Sequence, residues 1–82
     1  MYKAKIDVTL KKAVLDPQGK TVLSSLKSMG FSAPTNMRVG KFFDVTLDVP
    51  SKEKAEEAVH AMCDKLLVNP VIEDYHFIIE EV

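Results

Sequence analysis

The stretch Met37-Arg38-Val39-Gly40-Lys41-Phe42-Phe43-Asp44-Val45-Thr46-Leu47-Asp48-Val49, written MRVGKFFDVTLDV, decides how many strands this chain has. From Lys41 on, Phe43, Val45, Leu47 and Val49 alternate with Phe42, Asp44, Thr46 and Asp48, the period of a strand with one buried face. Met37 and Val39 carry the same alternation upstream of Gly40. Two readings follow. A turn at Gly40 separates a short strand from a longer one, or Met37 to Val49 is one bent strand with the glycine as a bulge. The first reading is adopted, and it makes a four-stranded protein.

The flanks support that frame. Downstream, Ser51 caps a helix whose apolar stripe is Ala55, Ala58, Val59, Met62, Cys63, Leu66 and Leu67, and Asn69-Pro70 stops it. Tyr75, Phe77 and Ile79 then alternate with Asp74, His76, Ile78 and Glu80 in a last strand. Upstream, Tyr2, Ala4, Ile6, Val8 and Leu10 alternate with Lys3, Lys5, Asp7 and Thr9 in a first strand. Asp16 and Pro17 suit the cap and first position of a helix that runs to Met29, where Val22, Leu23, Leu26 and Met29 recur at helical spacing and Gly30 ends it. Gly19 falls inside the first turn of that helix, where glycine costs about 1 kcal/mol relative to alanine.

The order strand-helix-strand-strand-helix-strand, with two right-handed crossovers, predicts an α+β ferredoxin-like sandwich. It has an antiparallel sheet of order 4-1-3-2 and both helices on one face. The whole chain, residues 1–82, forms one domain. On the uncovered face, Lys3 and Lys5 should lie across from the row Asp44, Thr46 and Asp48. Phe42, Ile78 and Val82 fall among those charges, which makes them candidates for a dimer face, since a two-fold axis needs only one self-complementary patch.

Composition narrows the function. With 46% hydrophobic and 28% charged residues and a net charge of -1, the chain is globular and has no long-range field for nucleic acid or anionic lipid. No apolar run approaches the roughly 18 residues of a membrane helix, and MYKAKIDVTL lacks the apolar block of a signal peptide, so the expected location is cytoplasmic. The single cysteine, Cys63, suits a reducing compartment.

No serine, histidine and acid are spaced as a nucleophilic site. His60 lies between Glu56 and Asp64 on a polar helix side, and His60, Cys63 and His76 are too few and too scattered for a metal site. Gly40-Lys41-Phe42-Phe43 is similar to the base-stacking strand of an RNA-recognition domain, yet Asp44 and Asp48 would repel phosphate. An anion at the first turn around Gly19, or beside Arg38 and Lys41, is a further option.

The segments VLDPQGKTV (14–22), MRVGKFFDVTL (37–47) and MCDKLLVNPVIEDYHF (62–77) resemble the PurS family, the small subunits of phosphoribosylformylglycinamidine synthase. The resemblance covers nearly the whole chain and departs at Ile78, where the family often carries a charge. It implies a noncatalytic assembly subunit in purine biosynthesis that bridges a synthetase subunit, PurL, and a glutaminase subunit, PurQ. The complex converts formylglycinamide ribonucleotide, glutamine and ATP to formylglycinamidine ribonucleotide.

By resemblance the chain forms a homo-oligomer and holds no catalytic residue, cofactor or metal of its own, the ATP and magnesium belonging to the complex. Dimer or tetramer is left open, as is a part in ammonia transfer. Carried over residue by residue, the partner contacts are Asp16, Pro17, Gly19, Arg38, Gly40, Lys41, Asn69 and Pro70, with Gly19 letting another subunit's backbone come close. The alternative is a small metabolite-binding regulatory domain of the same fold.

Overall fold

The computed structural model describes residues 1–82. It contains β1 (Tyr2–Leu10), α1 (Pro17–Ser28), β2 (Gly40–Leu47), α2 (Lys52–Met62) and β3 (Glu73–Glu81). The three strands form one antiparallel sheet in the order β2-β1-β3, with β1 central and β2 and β3 as free edges. The expected fourth strand is absent, and what remains of 4-1-3-2 is its first three members.

Local hydrogen bonding explains the missing strand. The Val39 amide, which a strand would pair with its neighbour, instead donates to the Asp16 carboxylate at 2.7 Å. The Arg38 side chain reaches into the loop after β1. Gly40 is neither turn nor bulge. It opens β2 opposite Thr9, where a side chain would press against the Val8 carbonyl.

The core lies between β1 and α2. Ala4, Ile6 and Val8 alternate toward Val59, Cys63 and Val68, all buried, and Phe43, Val45, Tyr75 and Phe77 close around them half-buried. Ser51 caps α2 by accepting from the Lys54 amide at 3.2 Å. Past Met62 the helix widens into a π-helical turn, Cys63–Leu67, whose last bond runs from the Val68 amide to the Cys63 carbonyl. The wider turn shifts the helical frame by about one residue. Val68 therefore turns inward, and Leu66, expected in the apolar stripe, is 83% exposed.

Only 9 of 82 residues are buried, so each core side chain carries a large share of stability. Val59→Ala is expected to cost about 2 kcal/mol by lost burial and the cavity left behind, read as a lower urea midpoint at unchanged slope.

The second correction concerns α1. It was expected beside α2 on the sheet, yet it packs on neither sheet face and buries only Gly19. The chain measures 50 × 28 × 14 Å. Its Cα radius of gyration is 16.2 Å, where about 12 Å is usual for a compact chain of this length. Gly19 lies against Met37, so the chain leaves the sheet along α1 and returns through residues 29–36 to where it left. The helix ends as the sequence predicts, with Met29 as its C-cap and Gly30 at φ 98°. Residues 17–36 thus form an arm that projects from one end of the sheet.

Candidate functional site: a loop junction at one end of the sheet

The eight residues singled out as partner contacts converge on the corner where the arm meets the sheet, formed by the loops around residues 10–19, 37–41 and 67–73. Asp16 is its centre and is 4% exposed. Its Oδ1 accepts from the Gly19 amide at 2.9 Å and its Oδ2 from the Val39 amide at 2.7 Å. One carboxylate therefore caps α1 and holds the return chain against it. Those backbone N–H groups, Gly19 first and then Val39, draw the Asp16 pKa below its ordinary value, despite the opposing effect of desolvation.

Gly19 serves the same contact. A Cβ there would fall on the Met37 carbonyl oxygen and lie 2.9 Å from the Asp16 Oδ2. The close backbone approach expected from another subunit is made within this chain, by Met37.

Arg38 acts from the other side. Its Nη2 donates to the carbonyls of Lys11 at 2.9 Å and Val14 at 3.0 Å, with Leu10 at 3.5 Å, which gathers the loop between β1 and α1 around one guanidinium. Lys41 Nζ lies 3.3 Å from the Glu73 carboxylate and donates to the Leu67 carbonyl at 3.4 Å. Asn69 shapes the third loop, its Oδ1 accepting from the Val71 amide at 3.1 Å while its own amide donates to Glu73 Oε1 at 2.8 Å. That amide, more than Lys41, lowers the Glu73 pKa. Pro17 and Pro70 stand exposed at the rim.

Sequence reasoning passed over Glu73, which joins Asn69 to Lys41. Its signal was position, an acid four residues after Asn69 across a proline turn. A cleft of about 260 Å³ opens in the junction, with Asp16, Gln18, Lys41 and Glu73 among its walls. Lys41 and Glu73 hold each other and Asp16 is bound to two backbone amides, so the corner is built as a structural lock.

The open sheet face carries a charge lattice. The Lys3 ammonium meets Asp44 at 3.2 Å and the Lys5 ammonium meets Glu80 at 3.5 Å. Phe42 stands opposite Asp7 on β2, and Ile78 stands opposite Lys5 on β3. The candidates Phe42, Ile78 and Val82 are all exposed, at 58%, 47% and 65%, but β1's charged row runs between the first two.

His60 and Cys63 lie on the α2 side of the sheet and His76 on the other, which keeps these three from sharing one ion. His60 Nδ1 sits 2.7 Å from the Tyr75 hydroxyl and its ring meets Phe77 edge-on. Burial, with Asp64 nearby, pushes the Cys63 thiol up and away from the reactive thiolate.

Comparison with known proteins agrees with this architecture. The family model described as "PurS: Phosphoribosylformylglycinamidine (FGAM) synthase" matches residues 3–81. The chain is 44% identical over 82 residues to the phosphoribosylformylglycinamidine synthase subunit PurS of Bacillus subtilis, covering 96% of that protein. It superposes on PurS of Methanocaldococcus jannaschii with a TM-score of 0.92 at 40% identity, over 100% of this chain and 99% of that one. It also matches a chain of the PurLQS structure from Thermotoga maritima, with a TM-score of 0.87 at 36% identity over 96% of each chain. A three-stranded sheet with a locked, projecting arm, matched end to end in sequence and structure, places this chain in the PurS family of phosphoribosylformylglycinamidine synthase.

Proposed function

We propose that this chain is the noncatalytic assembly subunit of a phosphoribosylformylglycinamidine synthase and that it holds a synthetase and a glutaminase subunit in register. The observation that carries the reading is the full-length match to a chain of the Thermotoga maritima PurLQS structure. The chemistry of the fold suits it. The shifted carboxyls, Asp16 and Glu73, are spent on backbone amides, and the one thiol is buried. Ammonia released at one active site must reach another before it is lost, which requires fixed placement of the two catalytic subunits. In this reading ATP and magnesium are handled by the synthetase, glutamine by the glutaminase, and the complex works in the cytoplasm.

The same reading makes the chain a homo-oligomer. Its extended arm leaves apolar side chains uncovered on α1 and at its C-cap, among them Val22 at 38% and Met29 at 72% exposure. A set of such side chains on a small protein marks an interaction surface. No helix is long and apolar enough to cross a membrane.

Reconstitution tests the proposal. The chain is mixed with the synthetase and glutaminase of the same source, with ADP, magnesium and glutamine present, and the native mass and glutamine-dependent product formation are followed. A three-component complex, with glutamine-dependent activity at least tenfold above that of the two large subunits alone, is expected. Equal activity with and without the chain overturns the assembly role. Saturable binding of a free amino acid to the isolated chain, without complex formation, favours a metabolite-binding regulatory domain instead.

A further inference from the structure

Charge is unevenly divided along this chain. From Pro17 to Phe43 there are four basic side chains and no acid, a net charge of +4, while the other 55 residues hold all 12 acids against seven basic groups, a net charge of -5. The projecting arm lies inside the basic stretch. On α1 its two lysines share one side. At about 100° per residue, Lys20, Ser24, Lys27 and Ser28 fall on one stripe, and the apolar Val22, Leu26 and Met29 fall on the opposite one. The four polar residues are exposed, and with Leu23 they line an open hollow of about 570 Å³. Whatever covers the apolar stripe leaves this hollow facing outward.

The needs of the helix do not account for this stripe. Lys20 closes the first turn, where the helix dipole disfavours a cation. Neither Lys20 nor Lys27 is ion-paired, whereas Lys3, Lys5, Lys11, Lys41 and Lys54 all are. Thr21 on the same helix returns its hydroxyl to the Pro17 carbonyl at 3.0 Å, as hydroxyls on helices often do, but Ser24 and Ser28 make no such bond. Two unpaired ammonium groups, about 10 Å apart along the axis, and two uncommitted hydroxyls therefore face solvent together.

We infer that this outward face of α1 docks an acidic protein surface, carried by one of the two catalytic subunits, whose carboxylates meet Lys20 and Lys27. The inference rests on the assembly reading above. Charge complementarity selects the occupant, because the face offers positive charge and hydroxyl donors and the stretch around it holds no carboxylate of its own. Nucleic acid fits it less well. The stripe has no arginine and no aromatic ring on which a base could stack, and two phosphate contacts supply little affinity. A basic segment held out on an arm also draws an acidic partner in from a distance, which raises the rate of encounter and fixes the register in which the partner arrives.

Titration of the full chain into the synthetase and glutaminase, with ADP, magnesium and glutamine present, tests it. The chain concentration that half-saturates complex formation is compared for wild type and for Lys20→Glu combined with Lys27→Glu. At low salt the double variant should need roughly ten times more chain, and the gap should narrow at high salt as the charges are screened. Its native mass and circular dichroism alone should match wild type, since the stripe opposes the apolar one. If the glutamate pair loses its folded signal, Lys20→Ala with Lys27→Ala carries the same test, with a rise of about threefold. Equal half-saturation at low salt overturns the inference and leaves the assembly role standing, whereas a wild-type chain that forms no complex overturns both. Lys20→Arg with Lys27→Arg keeps the charge and should assemble like wild type, and a loss as large as that of the glutamate pair overturns the inference. So does an equal loss from Lys52→Glu with Lys54→Glu, the same charge change placed on α2. Binding of the isolated chain to a short RNA duplex, abolished in the glutamate pair while assembly is unchanged, overturns it in favour of nucleic acid.

Discussion

Gly19→Ala is expected to destabilise the protein by about 3 kcal/mol, although helix propensity alone predicts a gain of about 1 kcal/mol. The opposing effect is steric. The added methyl would overlap the Met37 carbonyl and crowd the Asp16 carboxylate, and the first of these is backbone tied down by the bonds of Arg38 and Val39 that follow it. Relief requires the return chain to move away from α1, which lengthens the bond from Asp16 to the Val39 amide. A urea midpoint that falls, with loss of the arm's orientation in the complex, is the expected result. An unchanged midpoint would mean that Met37 yields freely and that the junction is not a lock. Gly30→Ala serves as the control. There the backbone is left-handed but nothing lies within 4 Å, so the cost is conformational and about 1 kcal/mol.

Replacing Asp16 should have the other large effect, and its pH dependence identifies the cause. Asp16→Ala leaves the amides of Gly19 and Val39 without their acceptor, whereas Ser51→Ala at the start of α2 removes a single cap bond and costs about 1 kcal/mol. The Asp16 variant should be clearly the less stable of the two.

Both Asp16 and Glu73 titrate below their ordinary values in the folded chain. Their stabilising effect is therefore complete above the unfolded carboxyl range, about pH 4 to 4.5, and is lost as pH falls through the lower folded values. Wild-type stability should drop on acidification below about pH 4. In Asp16→Asn the starting stability is lower and the acid slope shallower. Urea midpoints at neutral and acid pH measure both, and an unchanged slope in Asp16→Asn would assign the acid sensitivity elsewhere.

Much of the fold was legible because alternation and capping are local. β1, β3, α2 and its Ser51 cap, and the end of α1 at Gly30 follow from neighbouring residues. The short strand at Met37 to Val39 is absent where the Val39 amide is taken by Asp16, far away in sequence, and alternation carries no trace of that competitor. The placement of α1 was equally hidden. An apolar stripe shows that a helix will be covered and does not say by which chain.

The eight candidate residues lie on the three loops of one corner, and the bonds that several of them make within the chain are not visible in the sequence. Exposed motif residues in loops suggest contact with other molecules. Here Asp16, Gly19, Arg38 and Asn69 also bond or abut their own chain's backbone, while Pro17, Gly40, Lys41 and Pro70 stand exposed.

The free edge of β2 has a consequence for the chain's history before assembly. Ending the sheet at Gly40–Leu47 leaves a row of backbone donors and acceptors open, above Phe43, Val45 and Leu47 on one face. An unpaired strand of that composition is a template for indiscriminate edge-to-edge stacking. Asp44 guards only the other face, and Lys41 only the start of the strand. Newly made chains therefore compete between finding the correct companion and precipitating, so soluble yield should depend on how promptly they meet it.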